Sequence, residues 1–482
     1  SDVVLEDSIL LSNVNLIPVP QNPLYQGRTN VGLRNTNGNL TIRNFSTIGF
    51  KRSAIIAENC TYHFEDLNIR NNYDQLADVS GVFGLYPVSG ISLYNAKGSM
   101  VDPRIISIVG EAGSDNSNEF LNGMAIYMKN SEADILFTSD IVNTLYISNV
   151  CTAFYLQESR VKCSHTLSET YAISDDVPPD ASGNALFKHV VFGRNSDAIL
   201  EFANIQSATN VLLDTSLFDV QNGMLSLSDV TVVTGALSNQ ITAIQSENCK
   251  LDFNRLTIDS TQTSGIHQNT GEVIMNNCTI RNVSNVLEDA TGVSIGNSNI
   301  QMNGIDVSGC VNGIYIENSN LTADDITVNA GSGIGIELKN TSLKINTLNA
   351  RLYQITGMLC NHCNGVFENI EFIENGISGE AGMLLENNNT LTFDISGSPF
   401  EINNAGTNYG IKFNRGNKII FENPSGSGIN ITANIDDMNF PSAGDTSVSE
   451  LDVYEFPEIT GTLPGSYKNH SVSGNIVINN TS

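Results

Sequence analysis

Tryptophan is missing from the 482 residues, and aromatic residues of all kinds reach only 7%. A deep cleft that grips sugars by ring stacking is therefore hard to build. Charge is scarce too, at 15%, so polarity must come from Asn, Ser, Thr and Gly, which suit turns and strands rather than long surface helices. Basic residues are the scarcer sign: 23 Lys and Arg face 51 Asp and Glu, a net charge of −28. Such a surface repels a phosphate backbone or an anionic bilayer, and nucleic acid is not an expected partner. No apolar run approaches the roughly 20 residues of a membrane helix, so membrane insertion is not expected either. Eight cysteines are too sparse to describe a disulfide-stapled scaffold, and they leave compartment and bridge connectivity open.

What the chain has in abundance is one recurring phrase. A small residue is followed by an apolar residue, any residue, an apolar residue, any residue and Asn, as in Gly292-Val293-Ser294-Ile295-Gly296-Asn297, Gly313 to Asn318 and Gly335 to Asn340. It returns with Ala54 and Asn59, Gly90 and Asn95, Ala125 and Asn130, Ala243 and Asn248, and Gly382 and Asn387, while after Gly357 the Asn comes one place early, at Asn361. The starts 292, 313, 335, 357, 382 and 410 are 21, 22, 22, 25 and 28 residues apart. That period is one coil of a β-solenoid, and it overrides the about three domains that length alone suggests. A second phrase in each period alternates apolar and polar places, as in Phe64 to Ile69, Phe253 to Ile258, Met302 to Val307 and Phe367 to Phe372. Period two means strand, so each coil holds at least two, with a third side or a loop to complete it.

Counting parity along the first strand puts the Asn on the same face as the apolar places, inward at a corner. Stacked coils would then set each amide about 4.8 Å above the last, in a hydrogen-bonded ladder. Asn59, Asn95, Asn130, Asn248, Asn297, Asn318, Asn340 and Asn387 are the expected inward ladder. Asn also tolerates the left-handed backbone of a one-residue bend.

This pattern resembles the right-handed parallel β-helix superfamily with its pectate-lyase-like fold, which includes pectate lyases, polygalacturonases, phage tailspikes and bacterial surface adhesins. The resemblance covers roughly residues 31–435 and implies an all-β, single-stranded right-handed parallel β-helix of about 21 to 28 residues per coil. Handedness comes from the resemblance alone. Residues 1–30, with Pro18, Pro20 and Pro23, are expected to be a lead-in segment or cap, and 436–482, with Pro441, Pro457 and Pro464, a C-terminal cap or linker. Loop insertions are expected at 71–89, 98–122 and 159–184. Analogy with tailspikes implies a homotrimer.

The catalytic motifs of the resembled enzymes do not transfer. None of the six histidines stands between glycines, the Asp-Asp pairs are scattered, and the tryptophan-containing motif of pectate lyases has no Trp to use. The acids that could serve as general acid and nucleophile, or bind Ca²⁺, are Asp306, Asp324, Asp325 and Glu371. Their simpler reading is as outward polar places on amphipathic strands. Cys360-Asn361-His362-Cys363 hints at a metal, but Cys360 holds the inward place of Ile295, Ile316 and Leu338, so it reads as core. No cofactor is expected. The 159–184 stretch offers Tyr171, Asp175 and Asp176 as candidate ligand contacts.

The resulting expectation is an extracellular, cell-surface or virion attachment module that binds a surface polysaccharide or receptor and is not an enzyme. Alternatives are a polysaccharide lyase or glycoside hydrolase of the tailspike or pectinase kind, and a purely structural appendage component.

Overall fold

The computed structural model describes residues 3–6, 9–16, 31–48, 50, 53–73, 88–109, 123–138, 145–166, 171–174, 189–207, 215–234, 241–284, 290–379, 381–394, 400–404, 409–414, 416–422, 429–433, 436–439, 449–454, 465–467, 470–473 and 476–481. These residues form a right-handed parallel β-solenoid without a helix among them. It divides into two compact units, Ser1–Asp252 and Phe253–Ser482.

In the first unit the coils between Met124 and Thr234 have three short strands each, here called sides A, B and C. Side A stacks Met124–Lys129, Thr152–Gln157, His189–Arg194 and Thr215–Gln221 in parallel register. Side B stacks Glu132–Phe137, Arg160–His165, Asp197–Glu201 and Met224–Ser228. Side C stacks Leu145–Val150, Tyr171–Ser174, Ala203–Ser207 and Thr231–Thr234. Of the two ways the repeat left open to complete a coil, a third side or a loop, these coils use a third strand.

In the second unit the register reproduces the spacing of the recurring phrase. Val293 pairs with Ile314, then Ile336, Met358, Met383 and Ile411, each step being one coil. Alternate residues of all three sides point inward: Ile314 and Ile316 on side A, Leu321 and Ala323 on side B, and Ile326 and Val328 on side C are buried. Apolar burial against the coils above and below is the main stabilising term, at about 25 cal/mol per Å². The phrase opens with a small residue because the next coil leaves no room: a Cβ on Gly313 would run into the carbonyl oxygen of Gly335.

The corners overturn the expected orientation of the asparagines. Asn59, Asn95, Asn130, Asn248, Asn297, Asn318 and Asn340 all have φ between 46° and 53° and all are exposed; Asn387 is half-buried, and its neighbour Asn388 takes the left-handed place instead. The strand rule of alternating faces holds only while each residue stays in the β region. A left-handed residue breaks the alternation, throws its own side chain out, and hands the inward place to the next residue. Some exposed amides do bond across coils: Asn95 Nδ2 donates to Asn59 Oδ1 at 3.0 Å, Asn130 to Asn95 at 3.2 Å, Asn248 to Asn222 at 2.9 Å and Asn297 to Asn269 at 2.9 Å. Exposed to water, such bonds contribute little.

The inward polar column consists of the residues that follow. The Ser131, Ser159 and Ser196 hydroxyls donate to the carbonyls of Lys129, Gln157 and Arg194 at 2.7–2.8 Å. They accept the N–H groups of Ala96, Ser131 and Ser159, one coil earlier, each at 3.1 Å. Ser298, Ser319 and Thr341 repeat the bond two residues back, and Asn389 and Asn417 fill the same place with carboxamides.

This column also accounts for most of the cysteines. Cys60, Cys249, Cys278, Cys310 and Cys363 each follow a left-handed residue and are buried, and all eight cysteines are free thiols. Cys249 Sγ donates to the carbonyls of Val220 and Glu247 at 3.2 Å, as a serine would. Burial pushes the Cys278 and Cys310 thiols up to about 11, so at pH 8 both stay protonated and weakly nucleophilic. A native-state titration with a disulfide reagent at pH 8 should therefore modify Cys151, which is half-buried, well ahead of the other seven. Rapid modification of Cys278 or Cys310 in folded protein, identified by peptide mapping, would contradict the corner assignment.

Several expected boundaries move. All but the first residue of Lys97–Val101 and the whole of Arg104–Val109 fall inside the expected 98–122 loop, and Arg160–His165 and Tyr171–Ser174 inside 159–184, yet all four are paired solenoid strands. Side C carries no conspicuous phrase, so its short strands read as insertion. Of the 71–89 loop, 71–73 still belong to Thr61–Tyr73, and 74–87 lie outside the described residues. The terminal stretches also hold strands: Val3–Glu6 and Ile9–Leu16 pair in parallel with Val31–Thr36 and Asn39–Ile48, and Ser449–Tyr454 pairs with Ile476–Thr481.

Candidate functional site

Side C of the second unit carries two of the expected acids. Asp306 pairs with Thr327, Thr327 with Asn349 and Asn349 with Glu371, so Asp306 and Glu371 stand three coils apart. At the strand spacing that is roughly 14 Å. A glycosidase pair needs about 5 Å for retention or roughly 6.5–9.5 Å for inversion, so these two do not form one. Glu371 is also engaged by Arg351 at 2.6 Å. Asp306 is exposed, yet packing around its carboxyl raises its pKa, with Arg281 working against the rise. Asp324 projects from side B, where it accepts a bond from Asn346 Nδ2 at 2.7 Å, and exposed Asp325 follows it. The four acids lie on two sides and three different coils.

The other candidates are equally dispersed. Tyr171 opens a side C strand with its backbone paired to Ala203. Asp175 and Asp176 lie outside the described residues. Cys360 and Cys363 point into the core, whereas His362 between them is left-handed and exposed. Among the described residues, no three His, Cys, Asp or Glu side chains gather as metal ligands.

Two features were not expected. The first is an aromatic row outside side A of the first unit. Tyr127, Tyr155 and Phe192 alternate with inward residues and stack coil on coil, with ring centroids 5.5 and 4.9 Å apart. Arg194 lies 3.8 Å over the Phe192 ring and pairs with Asp219 at 2.7 Å. All three rings are at most 9% exposed, so the row stabilises the coil and offers no free ring to a sugar.

The second is an open polar groove of about 480 Å³ along the corner between sides A and B of the same unit. Its line of left-handed corners is Asn130, Glu158, Asn195 and Asn222, with φ of 48°, 49°, 50° and 55°. Each corner N–H bonds a carbonyl of the next coil at 2.9–3.0 Å, which fixes the stacking. The opposite wall is Glu132, Arg160 and Asp197, one from each coil at the same register, and Ser131 and Ser159 lie between the walls.

Most of these groups are already engaged. Lys97 bonds Glu132 at 2.6 Å and holds its carboxyl below the usual range; Arg160 reaches Asp134 at 3.4 Å; Asp197 accepts the Met224 N–H at 3.1 Å. The exposed amide chain that runs from Asn59 through Asn95 to Asn130 stops at Glu158, because a carboxylate has no proton to pass on. It resumes with Asn222 and Asn248. Among the described residues, the Glu158 carboxylate and the Asn195 carboxamide have no side-chain partner. The sequence did hold a sign of this: Ala153-Phe154-Tyr155-Leu156-Gln157-Glu158 is the recurring phrase with its Asn replaced.

Comparison with known protein families finds no match, and comparison with characterised proteins finds none either, so the chain's chemistry rests on this geometry.

Proposed function

We propose that the chain is a non-catalytic attachment module of a cell or virion surface, and that it holds a glycan in the groove between Asn130 and Asn222. The observation that carries this reading is the groove itself: carboxamides, carboxylates and one guanidinium line an open channel, with Glu158 and Asn195 uncommitted. Sugar hydroxyls are both donors and acceptors, and amide and carboxylate side chains on a rigid frame match them. The pattern's resemblance to the right-handed β-helix superfamily, with its tailspikes and adhesins, supports the same reading, as does the separation of Asp306 from Glu371.

The test is a panel of immobilised capsular, cell-wall and plant polysaccharides, probed for binding and then for new reducing ends or unsaturated products. Retention on at least one glycan without product formation is the expected result. Product formation that disappears in Asp306→Ala or Asp325→Ala would replace this reading with the enzymatic one.

A further inference from the structure

We infer that the groove selects a glycan bearing a protonated amine, an amino sugar whose nitrogen is not acetylated; this rests on the glycan reading above. The interruption in the amide chain and the groove coincide at the same two coils. Asn95, Asn130, Asn222 and Asn248 spend amide hydrogens or oxygens on one another, whereas Glu158 and Asn195 face the opening unspent. What must enter there is a group that donates to a carboxylate and also bonds a carboxamide. Of the three acids that line the groove, Glu132 is offset by Lys97, while Arg160 is directed at Asp134, which leaves the charges of Glu158 and Asp197 at the opening. The net negative field disfavours uronic acids and sulfated sugars and favours a cation. A compact ammonium flanked by ring hydroxyls meets both demands: it gives Glu158 a charge-assisted bond, and the adjoining hydroxyls meet Asn195 and Asn130.

The experiment is calorimetric titration of the full chain with glucosamine tetraose, its fully N-acetylated counterpart and spermine, at pH 6 and low salt. Glucosamine tetraose should bind at least about tenfold more tightly than the acetylated sugar, and Glu158→Gln should abolish that difference while leaving the melting curve in place. Asn195→Leu should weaken both sugars together, since its carboxamide reads hydroxyls rather than charge. Equal affinity for the two sugars would overturn the inference and leave the glycan reading standing. Failure of every sugar in this test and on the wider panel would remove both. Spermine binding as tightly as glucosamine tetraose would mean that the groove reads charge alone, which also overturns the inference.

Discussion

Ile316→Asp should lower stability by about 4 kcal/mol or more, whereas Tyr315→Asp, one residue earlier, should cost about 1 kcal/mol. Ile316 is fully buried and stacks between Ile295 and Leu338 of the adjoining coils. An aspartate there both loses apolar burial and leaves a carboxylate without a partner between two coils. Tyr315 is half-buried on the outer face, its hydroxyl bonded to Glu317 at 2.9 Å and its ring 5.1 Å from the Lys339 ammonium. Its replacement loses that edge contact and adds a charge that water can reach. Urea titration followed by circular dichroism checks the pair, and equal destabilisation would contradict the face assignment.

Two neighbouring asparagines should behave as different residues altogether. Asn389 is buried: its Nδ2 donates to Cys360 O at 3.0 Å and Asn417 Oδ1 at 2.7 Å, and its Oδ1 accepts the Cys363 N–H at 2.8 Å. Asn389→Leu strands these groups without water and should cost about 3–5 kcal/mol, at roughly 1–3 for each unsatisfied group. Asn388 is exposed with φ of 51°, so Asn388→Leu should cost only the left-handed strain of about 1–2 kcal/mol, and Asn388→Gly almost nothing. The same denaturation experiment decides. A costly Asn388→Gly would mean that the exposed amides, and not the inward column, hold the corner.

The period was legible because the fold demands it. Inward places recur at each coil, so the steps between Gly292, Gly313, Gly335 and Gly357 are also the steps of the strand register. The inward place of Cys360 followed from the same counting. Parity failed only on passing through a corner, where the left-handed residue that the asparagines themselves suggested shifts the alternation by one. The groove was less legible for a different reason. Asn130, Glu158, Asn195 and Asn222 come from four coils, with 28 and 37 residues between the inward serines that follow the first three, and no linear motif joins them. The outer aromatic row was missed likewise, since Tyr127, Tyr155 and Phe192 become neighbours only when coils stack.

The inward corner place is filled by serine, threonine or cysteine bonded to the carbonyl two residues back, or by asparagine bonded to a carbonyl of the preceding coil. Any of the four satisfies the corner, and many outward strand places face water. Inheritance can therefore exchange most letters of a coil without disturbing its path, while a change of period by one residue would misalign every neighbour. In such a lineage what persists is a rhythm rather than a spelling, and two descendants could keep superimposable backbones after losing any alignable text.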